Sequence, residues 1–460
     1  MTPALPRTDR GRLLLVLALA ALVTVFTATV PLLRDWFDLR VYYGSIDGWV
    51  HHGGRIYDYR VPGTTYGFTY PPFAAVAMLP MALLGLHTAI VAALLLNLVA
   101  LAVILRLLAG PDWRRHGWFG WALTACLLAL FEPLRDTLSF GQVNLLLLAL
   151  VLTDATLLAT GRGRLAGAGI GLAAAVKLTP ALFIGLLLVA RRWHAAAVAT
   201  AVALGATALA AWVDPGASRF YWTEALWDTG RVGRLDYVSN QSVQGILARL
   251  GETDRTTWAV VVLSVLGVWG LRARRAVAAG DWTAAFALTG LAACLVSPIT
   301  WVHHLVWLLP SFAVLVRAGR PRIAGALYAV LCTSVVWLWF DDASGVDGFV
   351  GSNTYAWITL GLLLWLPAGQ LRPGLRTGSR STSTTTAAPV PAAPAISPAS
   401  VQAEVCSSAT AAATAGGVDV GRVDVGGAPS EPTAWTLPAD LKPQSSSERA
   451  SSYTVDPPPS

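Results

Sequence analysis

The sequence predicts an all-α, polytopic membrane protein, and three observations carry the prediction. Apolar residues make up 55% of the 460-residue chain and charged residues only 13%, against about 25% charged in a typical soluble domain. Apolar runs alternate with short loops along most of the chain, at a mean hydropathy of +0.57, which excludes a soluble enzyme with a single anchor. The basic residues gather in short clusters between those runs, as the positive-inside rule requires. The net charge of +7 therefore reports topology. No basic surface interleaves with soluble aromatics, so nucleic acid is not an expected partner.

The elements follow in order. Residues 1–12, with Arg7, Arg10 and Arg12, form a cytoplasmic N-terminus. The run "LLLVLALAALVTVFTATVPLL", 13–33, has no clean small-residue cleavage site and the length of a retained spanning helix. Residue 34 onward is then outside. Inner loops carry Arg106, Arg114 and Arg115; Arg162 and Arg164; Arg191 and Arg192; Arg272, Arg274 and Arg275; and Arg317, Arg320 and Arg322. Outer segments fall at 34–70, 131–142, 214–256, around 298–302 and 341–353. The run "YPPFAAVAMLPMALLG", 70–85, is broken by prolines and too short to cross, so it is expected to lie along the outer interface.

One interval breaks the regular spacing. Between "GRGR" at 161–164 and "RRW" at 191–193, both on the basic side, the chain must cross an even number of times. Two full spans need roughly 40 residues, more than the interval holds. The expectation is a pair of short helices meeting at Lys177–Pro180 part-way through the membrane, where broken backbone is tolerated only around a cavity. About twelve membrane segments result, within a membrane domain at 13–370. Residues 371–460, with Arg372 and Arg376 at their start, are Ser/Thr/Ala/Pro-rich and read as a disordered cytoplasmic tail. Cys126, Cys294, Cys332 and Cys406 form no CxxC pair, so neither a disulfide frame nor a zinc site is indicated.

Several stretches carry polar residues that an apolar chain does not need for folding. "RDWFDLRVYY", 34–43, puts Asp38 just beyond the first span, with Arg34 and Arg40 near enough to hold it ionised. A carboxylate at a cavity mouth suits a general base for a hydroxyl; a solvated, self-paired loop is the plainer reading, and Asp35, Asp47 and Asp58 are rivals by composition. "FEPLRDTLSFGQVN", 131–144, offers Glu132, Arg135, Asp136, Gln142 and Asn144, either as a helix cap or as groups that converge on sugar or phosphate. Lys177 is one of only two lysines, with Lys442. It either snorkels or offers a buried cation to an anion. "NQSVQGILARL", 240–250, reads as a helix start. "SPITWVHHLVW", 297–307, sets His303 and His304 in an interfacial aromatic belt or against a ligand.

Together and in this order, "FDLRVYYGSIDGWVHHGGRIYDY", "GFTYPPFAA", "EPLRDTLSFGQVNLLLLALVLTD", "GIGLAAAVKLTPALF", "NQSVQGILARL" and "SPITWVHHLVW" resemble the actinobacterial glycosyltransferase family 87 of the GT-C superfamily, over roughly residues 10–370. The resemblance implies a GT-C type membrane α-mannosyltransferase. Its donor is polyprenyl-phosphate-mannose, and it adds α-1,2-linked mannose to phosphatidylinositol mannosides, lipomannan or lipoarabinomannan. The family's catalytic Asp matches Asp38, and its late His matches either His303 or His304. Donor phosphate and sugar are then expected at Lys177, His303, His304 and Arg135. The acceptor and its sugar are expected at Arg40, Tyr42, Gln142, Asn144, Asn240 and Gln241. No metal or cofactor is implied, since phosphate already leaves readily. A single displacement would invert a β-linked donor to an α-linked product on the outer face of the plasma membrane, among membrane lipids. A secondary transporter or flippase of a lipid-linked sugar is the alternative, because broken helices with a mid-depth charge also mark transporters.

Overall fold

The computed structural model describes residues 8–29, 35–109, 117–161, 163–252 and 254–369. Arg7, Arg34, Arg114, Arg115, Arg162, Arg372, Arg376 and the expected tail lie outside them. Among the described residues the regular structure is helical, and the strand-type pairing is an isolated bridge between Arg60 and Gly67. The all-α expectation holds.

Leu86–Leu108, Trp193–Val213 and Arg255–Ala278 are long and apolar enough to cross a membrane, and the bent pair Gly117–Leu130 and Glu132–Phe140 makes a fourth candidate. That pair turns by 76° where Pro133 enters the second helix. Most other apolar helices run 10–17 residues. The dozen apolar segments of the sequence are thus mostly short helices, many opened by proline, which lacks the N–H that a first turn leaves unused.

The larger core forms around helix Trp282–Val296, whose sequence is apolar on every face and which is buried almost throughout. A helix of that pattern belongs inside a bundle. Asp281 starts it by accepting the Ala284 N–H at 3.0 Å. A smaller core of Leu39, Tyr42, Ile46, Tyr57, Phe68 and Tyr221 ties helix Phe37–His51 to the 56–70 loop and helix Pro215–Thr223. Tyr57 and Tyr221 stack there at 5.9 Å.

The interval around Lys177 folds as its length requires. Helix Ala168–Val176 ends where Lys177 turns extended (φ −149°, ψ 131°), and after a 3-10 turn at Thr179–Ala181 helix Leu182–Val189 begins. The first short helix is held from two sides. Asp154, on helix Asn144–Thr160, accepts the Ile170 N–H at 2.7 Å, filling one of the donors a helix start leaves open. On the other side, a Cβ at Gly171 would lie 2.3 Å from the Ala199 carbonyl, so glycine is what lets this helix seat against Trp193–Val213. The position of Lys177 follows from that clamp.

Candidate active site

The chain enters helix Phe37–His51 through Asp35 and Trp36, both left-handed (φ 47° and 54°). Non-glycine residues adopt that conformation at a cost. The Trp36 N–H, donated to Ser139 O at 3.0 Å, offsets it and ties the entry to helix Glu132–Phe140. Arg40 then folds back on Asp35, donating to its carbonyl at 2.8 Å and its carboxylate at 3.1 Å, with Asp35 largely in solvent and Arg40 partly so. Half of the charge in the opening stretch is therefore a surface pair of small energetic weight.

Asp38 faces inward from the first turn. Its Oδ2 accepts from the Gln142 side chain at 2.6 Å, and its Oδ1 takes no hydrogen bond from the described residues. Burial pushes its pKa up to about 6, against the hydrogen bond from Gln142 and, whenever Lys177 carries a proton, the pull of that charge, which both lower it. Arg40 is not the cation that acts on Asp38: Asp35 engages it. Gln142 reaches Asp38 because Gly141 stands at φ 71° with no side chain, where a Cβ would come 2.6 Å from Leu39 Cβ.

From Gln142 the polar chain continues through the interior. Its Oε1 accepts from the Tyr70 hydroxyl at 2.8 Å. Tyr70 accepts in turn from Tyr42 at 2.9 Å and from Lys177 Nζ at 3.3 Å. Burial first, and the neighbouring Asp38 charge second, raise the Tyr70 pKa and keep the phenol protonated. Lys177 also donates to Asn144 Oδ1 at 3.0 Å and stands 2.8 Å from His304 Nε2. The His304 Nδ1 accepts the Trp301 N–H at 3.1 Å. Asp38, Tyr42, Gln142, Asn144, Lys177 and His304 thus form one connected network.

The remaining expected residues stand elsewhere. His303 is buried with its ring edge-on to Phe140 at 5.2 Å, and its carbonyl accepts from Thr137 at 2.9 Å. Asn240 and Gln241 are spent on backbone: Asn240 accepts the Thr300 N–H at 2.9 Å and donates to Pro298 O, while Gln241 bonds Ser352 O and the Ala356 N–H. They brace the loop that delivers the two histidines. Arg135 lies in another buried group, over the Phe26 ring at 4.6 Å and beside Ser334. In the same helix turn Glu132 accepts from Trp337 at 2.6 Å and from Tyr355. Tyr70 is the member of this network that sequence reasoning missed. Its signal was a lone tyrosine before a proline pair, which reads as a helix start. Among the described residues no three His, Cys, Asp or Glu side chains gather as a metal would need.

This arrangement presents an unsaturated carboxylate oxygen at one end and a nitrogen pair able to meet an anion at the other, with neutral phenol and amide groups between. It suits transfer of a group from an anionic leaving group to a hydroxyl.

Comparison with known proteins points the same way. The model of glycosyltransferase family 87 matches residues 68–298. The chain is 36% identical over 334 residues to the polyprenol-phosphate-mannose-dependent alpha-(1-2)-phosphatidylinositol mannoside mannosyltransferase of Mycolicibacterium smegmatis, covering 66% of this chain and 72% of the relative. It is 33% identical over 355 residues to the corresponding phosphatidylinositol pentamannoside mannosyltransferase of Mycobacterium tuberculosis, covering 73% and 80%. No solved structure matches.

Proposed function

This chain belongs to glycosyltransferase family 87, and on that premise we propose that it transfers mannose from polyprenyl-phosphate-mannose to a hydroxyl of a phosphatidylinositol mannoside or a related lipomannan. The names of its relatives support both donor and acceptor class. The transporter alternative falls with membership of a transferase family.

Asp38 acts as the general base. Its open Oδ1 takes the proton of the acceptor hydroxyl while that oxygen attacks the anomeric carbon. The bond from carbon to the phosphate oxygen breaks, and polyprenyl phosphate leaves toward Lys177 and His304. One displacement converts a β-linked donor into an α-linked product. No step draws on a metal. Gln142 orients the carboxylate, and Tyr70 holds Gln142 and Lys177 in register. The single observation that supports this reading most is the contrast between Asp35 and Asp38: one is paired with Arg40 at the surface, while the other, half-buried, has a carboxylate oxygen that accepts from none of the described residues.

The basic clusters support an active site on the outer face of the plasma membrane. The reading is tested with purified protein, radiolabelled polyprenyl-phosphate-mannose and a panel of phosphatidylinositol mannosides of increasing size. Transfer to at least one acceptor, lost in Asp38→Asn, is expected. Binding of the donor without transfer to any glycolipid would overturn the acceptor class.

A further inference from the structure

The hydrogen-bond inventory around Lys177 has a consequence for how the site meets an anion. The Trp301 N–H occupies the lone pair of His304 Nδ1 at 3.1 Å, so that nitrogen carries no proton. A neutral imidazole has one N–H, which must then sit on Nε2. Nε2 lies 2.8 Å from Lys177 Nζ. An ammonium has three donors and no acceptor, and would set donor against donor at that distance. An amine has one lone pair and two hydrogens. It accepts from His304 Nε2 and donates to Asn144 Oδ1 at 3.0 Å and to the Tyr70 hydroxyl at 3.3 Å, and every position is used.

The neighbours agree with that count. Asn144 turns its Nδ2 away, to His303 O at 3.4 Å, which leaves Oδ1 for Lys177. The Tyr70 hydroxyl hydrogen is committed to Gln142, so Tyr70 can only accept from Lys177. The titratable groups set against Lys177 are Asp38 from helix Phe37–His51, Tyr70, Cys294 from helix Trp282–Val296, and His304. The carboxylate among them, Asp38, is bonded to Gln142 and makes no ion pair with Lys177. The Cys294 thiol donates to His304 O at 3.8 Å, and His303 packs edge-on against His304 at 4.6 Å. A charge buried without a bonded counter-ion is costly, and among the described residues no carboxylate is bonded to Lys177.

We propose that Lys177 is an uncharged amine before any anion binds, held by His304 Nε2–H, and that it takes up one proton from solvent when a phosphodiester binds. The phosphodiester anion brings the missing counter-charge. Lys177 becomes an ammonium and, with His304 Nε2–H, donates to phosphate oxygens. Anion and proton enter together, so the buried site gains no net charge. That the ligand is a phosphodiester rests on the proposed function; the state of Lys177 before binding rests on geometry alone.

The chain has two lysines, Lys177 and Lys442, so protein made with lysine carrying carbon-13 at Cε gives two NMR signals, distinguished with Lys442→Arg. At about pH 8, over two units below the ordinary lysine pKa of about 10.4, the Lys177 signal of the ligand-free protein should sit at the amine position. Adding polyprenyl-phosphate-mannose without acceptor should move it to the ammonium position. An ammonium signal in the ligand-free wild type overturns the proposal, and so does an amine signal that stays put when the donor is bound. Failure of the donor to bind overturns the donor assignment instead, while the ligand-free signal still decides the state of Lys177.

Discussion

The Gln142 side chain stands 2.6 Å from Asp38 Oδ2 and satisfies one oxygen of that carboxylate while leaving the other open. A carboxylate that is oriented but not saturated fits the proposed role of base for a hydroxyl proton.

Asp38→Asn should lower turnover by about 10²–10⁴, the usual weight of a general base, with donor binding retained. Asp35→Asn breaks only an exposed pair with Arg40 and should stay near wild type, since such pairs are worth about 0–1 kcal/mol. Steady-state kinetics on both variants decide it: a sensitive Asp35 would place the base elsewhere.

The pKa of Asp38, raised to about 6, sets a pH dependence. The active form is the carboxylate, so kcat/KM should fall as pH drops through about 6. Gln142→Leu removes the hydrogen bond that favours the charged form and should move that limb to higher pH. The folded protein also holds this proton longer than the unfolded chain, whose Asp titrates at the model-compound value of 3.8. Ionising Asp38 therefore draws down stability as pH rises from 3.8 toward 6. Asp38→Asn, neutral throughout, should melt no lower than wild type at pH 7. A clearly lower melting temperature would contradict the burial argument.

Tyr70→Phe leaves the ring in place and removes the hydroxyl that links Tyr42, Gln142 and Lys177. Each buried partner left unsatisfied costs about 1–3 kcal/mol. A lower melting temperature and a reduced kcat are expected together; an unchanged kcat would mean that Gln142 needs no support from Tyr70.

Gly171→Ala puts a Cβ 2.3 Å from the Ala199 carbonyl, backbone that cannot rotate away. It should destabilise by about 1–3 kcal/mol, as overpacking does, and weaken donor affinity as helix Ala168–Val176 carries Lys177 out of register. Gly267→Ala, on an open helix face with nothing within 4 Å, is the control and should be neutral or slightly stabilising. Equal behaviour of the two variants in thermal melts would refute the clamp.

Reporter fusions test the topology read from the arginine clusters. A fusion at 350 should report the outer side and one at 375 the cytoplasm. The same side for both would reject the orientation, and with it the outer-face site.

Local rules determined much of this protein from its sequence. Hydropathy and the arginine clusters made it an all-α membrane chain, and simple length showed that residues 165–190 could hold only two short helices with a break at Lys177. Both follow from the fixed rise of a helix and need no knowledge of distant residues. The selection within the site did not follow that way. Asp35, Asp38, Asp47 and Asp58 are chemically alike, and separating Asp38 from Asp35 took a left-handed turn at Asp35 and Trp36 and an amide 104 residues away. Arg40 looked like a guard for Asp38 and is instead spent on Asp35. Asn240 and Gln241 looked like sugar ligands and bond backbone, because a buried turn must satisfy its own carbonyls and N–H groups. Lys177 and His304, 127 residues apart, and Tyr70 between the two ends of the network were decided only by packing. Periodicity sets which face of a helix is apolar; it does not specify which polar atom on one helix meets which on another, and only the tertiary structure brought those atoms into contact.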